Sequence, residues 1–415
     1  MIIRKKRSKT AKESKVPQAE KVVGVVTQRR AEKRGPVVID QNVSERLRCL
    51  QLVDSAVRES APTNTKIELC SGNLRKYDVL HLMRMNLKES PRVGMLDLSW
   101  VGLGDENAAV LCRSIQVSKL VKELMLCGNE LGGSSSDYLG TFLRKNKSVV
   151  KLHLGSNTLG KEAATSLAEG LRENTTLEEL DLWNCSIGDE AGALILESVK
   201  YAKSLKVLRL NMNKLGSMSL EAVTQLLDTP TALEVLNLDS NPRLFGRKDE
   251  TEEKFVRTLA ANRNLRFLGM PYTGASDFTA KLVFQALTTN TFLEYLDIGY
   301  NDIYKGGYDT MVECIPKMKT LKHLRTHARA QLVCAEALSK AIEQNTSLQQ
   351  FTSICVGCNK VWASLRRNQV MSRVKTLLSE EETPVSLLPK AMHQMAKEKE
   401  CGASAIFQML ERSFR

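Results

Sequence analysis

Residues 150–185 read VKLHLGSNTLGKEAATSLAEGLRENTTLEELDLWNC, and they contain a full period of the chain. Leu152 and Leu154 return as Leu180 and Leu182, and Asn157 returns at the same interval as Cys185. The same pair stands at Leu96/Leu98, Leu124/Leu126, Leu208/Leu210 and Leu236/Leu238, in steps of 28. The step to Leu268/Met270 is longer, after which Leu296/Ile298, Leu324/Thr326 and, less clearly, Phe351/Ser353 resume the rhythm. A fixed period of this size predicts a solenoid, because so small a unit buries its apolar side only against copies of itself.

Within each unit the residue types predict strand, turn and helix. In LEELDL (177–182) the leucines Leu180 and Leu182 share the core face, while Glu179, Asp181 and Trp183 take the other. Just past the second leucine stand Asn129, Asn157, Asn213, Asn241 and Asn301, with Cys185 and Thr273 in the matching places. A buried amide there can bond the backbone groups left open where the strand bends away, and stacked amides would form a ladder. An apolar residue (Leu131, Leu159, Ile187, Leu215 or Ile303) leads into a helix such as 161–176, where Ala164, Leu167, Ala168 and Leu171 fall at helical spacing. Asn146, Asn174, Asn262, Asn290 and Asn345 end these helices, a role that suits the left-handed conformation.

The pattern LxLxxNxLG followed by an alanine-rich helix resembles the ribonuclease-inhibitor class of leucine-rich repeats over residues 66–358. That resemblance implies an α/β horseshoe with parallel strands on the concave face and helices on the convex face. It implies little about chemistry, since the class includes ribonuclease inhibitor, the Ran GTPase-activating proteins and sensor regions of innate immune receptors. The chain then divides into a disordered basic N-terminal arm (1–40), a helical N-terminal cap (41–65), the repeats (66–358) and a helical C-terminal cap or tail (359–415).

Charge is concentrated at one end. Residues 1–35 carry twelve Lys/Arg against three Glu, which is +9 of the net +13. Such a segment is expected to be solvated and flexible, with nuclear targeting or an acidic partner as alternatives. The ten cysteines are scattered as small core residues would be, and there is no apolar signal segment or membrane-length apolar run. A cytoplasmic protein, or a nuclear one, with reduced thiols is expected.

Few residues suit catalysis. The five histidines accompany no nucleophile elbow, phosphate loop or His-Glu-x-x-His. Cys355 and Cys358 with His323 and His327 could be drawn as a zinc constellation, but the second knuckle is missing, so no metal or other cofactor is expected. The outward strand positions are more telling. Asp181, Trp183, Arg209, Asn211, Asn237 and Asp239 form a mixed central patch, and Phe267, Tyr272, Tyr295, Asp297 and Tyr300 add aromatic rings toward the C-terminal half. Exposed Trp, Tyr and Arg are what protein-binding hot spots favour.

The expected function is therefore a non-catalytic scaffold or adaptor that binds a protein partner on the concave surface. A small-molecule substrate, sequence-specific nucleic acid and membrane are not expected. The alternative comes from FGRKDE (245–250), which is similar to a stretch in the Ran GTPase-activating proteins; that likeness implies that Arg247 would complete a GTPase active site.

Overall fold

The first leucine of each pair lies within a short strand, and the computed structural model joins twelve strands side by side, all parallel and in chain order. It describes residues 37–39, 65–69, 93–327, 335–352 and 359–379. The basic arm up to residue 35, most of the expected cap at 41–65, Cys355, Cys358 and residues 380–415 lie outside the described residues. Helices such as Gly160–Glu173 and Asp189–Val199 link successive strands. The resulting architecture is an open α/β leucine-rich-repeat solenoid.

Two strands precede the first leucine pair, Val37–Ile39 and Thr65–Leu69, with Val38 opposite Glu68. The first of them falls inside the 1–40 stretch expected to be disordered. Its three β-branched residues, unlike the charged run before them, suit a pleated ladder.

Leu124, Leu152, Leu180, Leu208 and Leu236 are fully buried, and each contributes roughly 1.5–3 kcal/mol by leaving water. Register survives the long step, since Val235 lies opposite Phe267 and Leu236 opposite Leu268. The extra residues are expelled into the link between Asn237 and Glu250.

Two amide ladders tie the units together. Asn157 Nδ2 donates to the carbonyls of Leu126 (3.0 Å) and Leu154 (2.6 Å), and its Oδ1 accepts from the N–H groups of Asn129 (2.8 Å) and Leu131 (3.1 Å). Asn129, Asn213, Asn241 and Asn301 repeat this arrangement. Cys185 and Thr273 donate at the same corner, to Leu154 O (3.2 Å) and Met270 O (2.7 Å). The second ladder corrects an expectation. Asn146, Asn174 and Asn262 leave their helices with φ of −73°, −82° and −62°, in extended rather than left-handed backbone. Asn174 Nδ2 reaches back to Leu143 O (2.6 Å) while its Oδ1 accepts from the N–H groups of Thr176 (2.9 Å) and Leu177 (2.8 Å). Side-chain bridging between units, not a backbone reversal, therefore closes these helices, and Asn290 and Asn345 do the same.

Acidic residues that open one helix cap the next. The Asp189 carboxylate accepts from the N–H groups of Gly216 (2.8 Å), Met218 (3.1 Å) and Ser219 (2.8 Å). Burial opposes its charge, but these donors outweigh it and hold its pKa below the usual carboxylate range. Asp105 and Asp277 act alike. At the far end, the helix Asn359–Ser379 covers the last unit: Arg367 donates to Asn345 O (2.8 Å), and Asn368 donates to Asn345 O (3.0 Å) and Leu348 O (2.8 Å). No helix among the described residues is long and apolar enough to cross a membrane.

Candidate functional site

The face of the sheet turned away from the helices presents the side chains that the leucine rhythm leaves free. Some of these serve the backbone. Asp97, Asp181, Asn237 and Asp297 each accept, at 3.0 Å, from the N–H two residues ahead, which fixes the strand exit. The chain then passes through a left-handed residue at Trp100, Gly128, Ser156, Asn184, Met212, Ser240, Tyr272 and Tyr300, with φ between 51° and 62°. Small or polar residues suit that position, whereas Trp, Met and Tyr are held there at a steric cost.

In the central units most outward charged groups lie close to an opposite charge. Lys151 Nζ lies 2.9 Å from Glu123, His153 Nε2 lies 3.3 Å from Glu179, and Arg209 pairs with Glu179 and lies 4.0 Å from Asp181. Burial works against the Glu179 charge, yet the Arg209 hydrogen bond and charge, with help from His153 and Lys151, keep its pKa low. At Asp181 burial wins and the pKa rises despite the Trp183 N–H. Trp183 spreads over Gly155: a Cβ built there would stand 2.0 Å from the indole Nε1. Asn211 is half-buried, and its Oδ1 has no hydrogen-bond partner among the described residues.

Farther along, rings replace ion pairs. Phe267 stacks on Tyr295 (centroids 4.3 Å, planes 15° apart) and Tyr295 on His323 (5.7 Å, 28°). A second row at the strand exits runs Tyr272, Tyr300, His327, with centroids 4.9 and 3.6 Å apart. Between the rows Asp297 is buried, and Arg325 lies 3.5 Å away. Burial is the main reason that the Asp297 pKa is raised, and Asp239 adds to it. The Asp239 carboxylate itself accepts from Ser240 Oγ at 2.9 Å.

The insertion of the long unit sits beside the second row. Leu244 and Phe245 are buried, and Phe245 meets Phe255 edge to face at 5.2 Å. Phe245 N–H donates to Thr273 O at 3.0 Å. Gly274, at φ +80°, must be glycine, because a Cβ there would stand 2.6 Å from Pro242 O. Glu252 is wholly buried and accepts from the N–H groups of Gly246 (2.8 Å) and Lys248 (3.0 Å), while Asp249 caps the helix Glu250–Ala261 through Thr251 and Glu252 N–H. Arg247 is exposed at the tip.

The anticipated residues thus fall into two groups. Asp181, Trp183 and Arg209 meet in the central network, and Phe267, Tyr272, Tyr295, Asp297 and Tyr300 surround the ring stacks; Asn237 and Asp239 lie between. The anticipated set leaves out His153 and Glu179, which hold the first group together, and His323 and His327, which end the stacks. The sequence signal for His323 is its place one period after Tyr295. Those two histidines stack on tyrosines, and no cluster of three or more His, Cys, Asp or Glu among the described residues could hold a metal. Burial pushes the Cys112 and Cys185 thiols up to about 12, so neither suits nucleophilic work.

Comparison with known proteins agrees with the repeat. The family described as Leucine Rich repeat matches residues 145–168, 173–196 and 289–307. Searching curated proteins gives no match. Among solved structures, the chain is similar to leiomodin-1 actin-binding site 2 (22% identity, 40% of this chain and 95% of that one, TM-score 0.34). It is also similar to the tropomodulin C-terminal domain from Caenorhabditis elegans (18% identity, 39% and 99%, TM-score 0.35). The structure of TLR13 with ssRNA13 matches at 16% identity over 74% of this chain and 38% of that one, with a TM-score of 0.43.

Proposed function

We propose that this leucine-rich-repeat chain is a non-catalytic scaffold that binds a protein partner on the open face of its sheet. The observation that carries the reading is the pair of ring stacks, Phe267–Tyr295–His323 and Tyr272–Tyr300–His327. Tyr272 and Tyr300 remain 53% and 41% exposed in positions where backbone geometry favours small residues. Rigid rings with polar tips supply large contact area at little entropic cost, which is the usual anchor of a protein interface.

The test is capture from native lysate with full-length chain, comparing Tyr295→Ala with Tyr201→Ala, a change at an exposed ring after the helix Asp189–Val199. A partner lost with Tyr295→Ala and kept with Tyr201→Ala supports the reading; the reverse pattern moves the interface off the sheet.

A second reading, activation of a small GTPase through Arg247, draws on the exposure of that side chain at the tip of an anchored loop. Single-turnover GTP hydrolysis by a panel of small GTPases decides it, with Arg247-dependent acceleration as the required outcome.

A further inference from the structure

The long unit does more than absorb an insertion. Its loop is fastened from beneath by Phe245 against Phe255, by Glu252 on Gly246 and Lys248, and by the Asp249 helix cap. Three cations, Arg243, Arg247 and Lys248, project from it, all exposed, and none has an ion pair among the described residues. Three cations on the opposite, strand-start rim are paired instead: Lys206 with Glu178 (2.9 Å), Arg266 with Glu294 (2.9 Å) and Lys322 with Glu294 (2.7 Å).

The loop lies on the turn that follows Tyr272, through Phe245 N–H on Thr273 O. One face of Tyr272 is stacked on Tyr300. In the preceding unit the matching residue is Ser240, so no ring stacks on Tyr272 from that side, and Tyr272 remains 53% exposed. The acids that follow sit at the base of the loop rather than at its tip: Glu252 is buried beneath it, Asp249 is turned into the helix cap, Glu253 lies 3.7 Å from Arg257, and Glu250 is exposed.

We infer that the loop 242–248 and the Tyr272–Tyr300 edge form a docking surface for an acidic, aromatic-bearing segment of a protein partner. Unpaired guanidinium and ammonium groups held on a rigid loop meet carboxylates without first giving up a partner, and the tyrosine offers a ring to stack on. This inference rests on the scaffold reading but assigns a different footprint, the strand-exit rim.

The experiment is fluorescence anisotropy of the full chain at low salt with a short labelled peptide of Glu, Asp and Tyr. Replacing Arg243, Arg247 and Lys248 together by Ser is expected to weaken binding by about tenfold or more, and Tyr272→Ser by about threefold. Circular dichroism and the urea midpoint should stay at wild-type values in both variants. Neutralising Arg4, Lys5, Lys6 and Arg7 should change little. The inference fails if the probe does not bind, if the loss follows the arm variant instead of the loop, or if oligo(dT) of equal length competes more strongly than unlabelled peptide. Tyr295→Ala separates this test from the scaffold reading. A lysate partner sensitive to that change but indifferent to the loop variant keeps the scaffold reading and removes this one.

Discussion

The central units and the long unit with its two successors are built on one repeat, yet they use their free positions in opposite ways. Around Glu179 the outward groups close on one another: Arg209 and His153 gather on one carboxylate, and Trp183 lies over Gly155. Around Tyr272 the rings stand at strained, exposed positions, and the neighbouring loop presents cations without ion-pair partners among the described residues. Side chains that satisfy each other stabilise the array, whereas side chains left unsatisfied are available to something else. A tryptophan in the first region and a tyrosine in the second therefore have different jobs despite similar places on the sheet.

The largest test of that comparison is the ladder that both regions share. Asn241→Ala strands the N–H groups of Asn213 and Leu215 and the carbonyl of Leu210, so a loss of about 3 kcal/mol is expected in urea unfolding. Next, Trp183→Ala should cost about 2 kcal/mol, because it uncovers Gly155. Tyr272→Asn should change stability by less than about 0.5 kcal/mol, since relief of left-handed strain offsets the lost Tyr300 stack. Equal losses at the two sites would erase the distinction.

Asp189→Ala should cost about 1 kcal/mol at neutral pH through the lost cap. The folded pKa of Asp189 lies below its unfolded value. Its contribution is therefore complete above the unfolded carboxylate pKa of about 3.9 and disappears as pH falls through the folded pKa. Chemical denaturation in acid should show the mutant and wild type converging. The remaining effect is a gain: Cys185→Asn places a full amide at the corner and should add up to about 1 kcal/mol.

The leucine pairs and corner asparagines were legible because their roles recur once in every period and nothing else explains amides at those spacings. The helix-ending asparagines were legible as stops but not in their conformation, since their bonds run to the unit before and a local reading favours left-handed backbone. Likewise Trp183, Phe267 and Tyr295 could be placed on the open face from alternation alone, whereas Tyr272 and Tyr300 fall out of that phase at the left-handed strand exits. That Trp183 is folded onto Gly155 could not be read from alternation, because it depends on which way a side chain leans between neighbouring rungs.

By itself, then, the sequence determined the repeat, the buried leucines, the amide corners and the site of the slip, all of which follow from periodicity and residue chemistry. Tertiary structure alone decided where the extra residues went. The ladder between Leu236 and Leu268 holds register on one side of the insertion, and buried Phe245 and Glu252 fix it on the other. With both ends tied, only the polar residues between them could turn outward, which is why Arg243, Arg247 and Lys248 face solvent beside Tyr272.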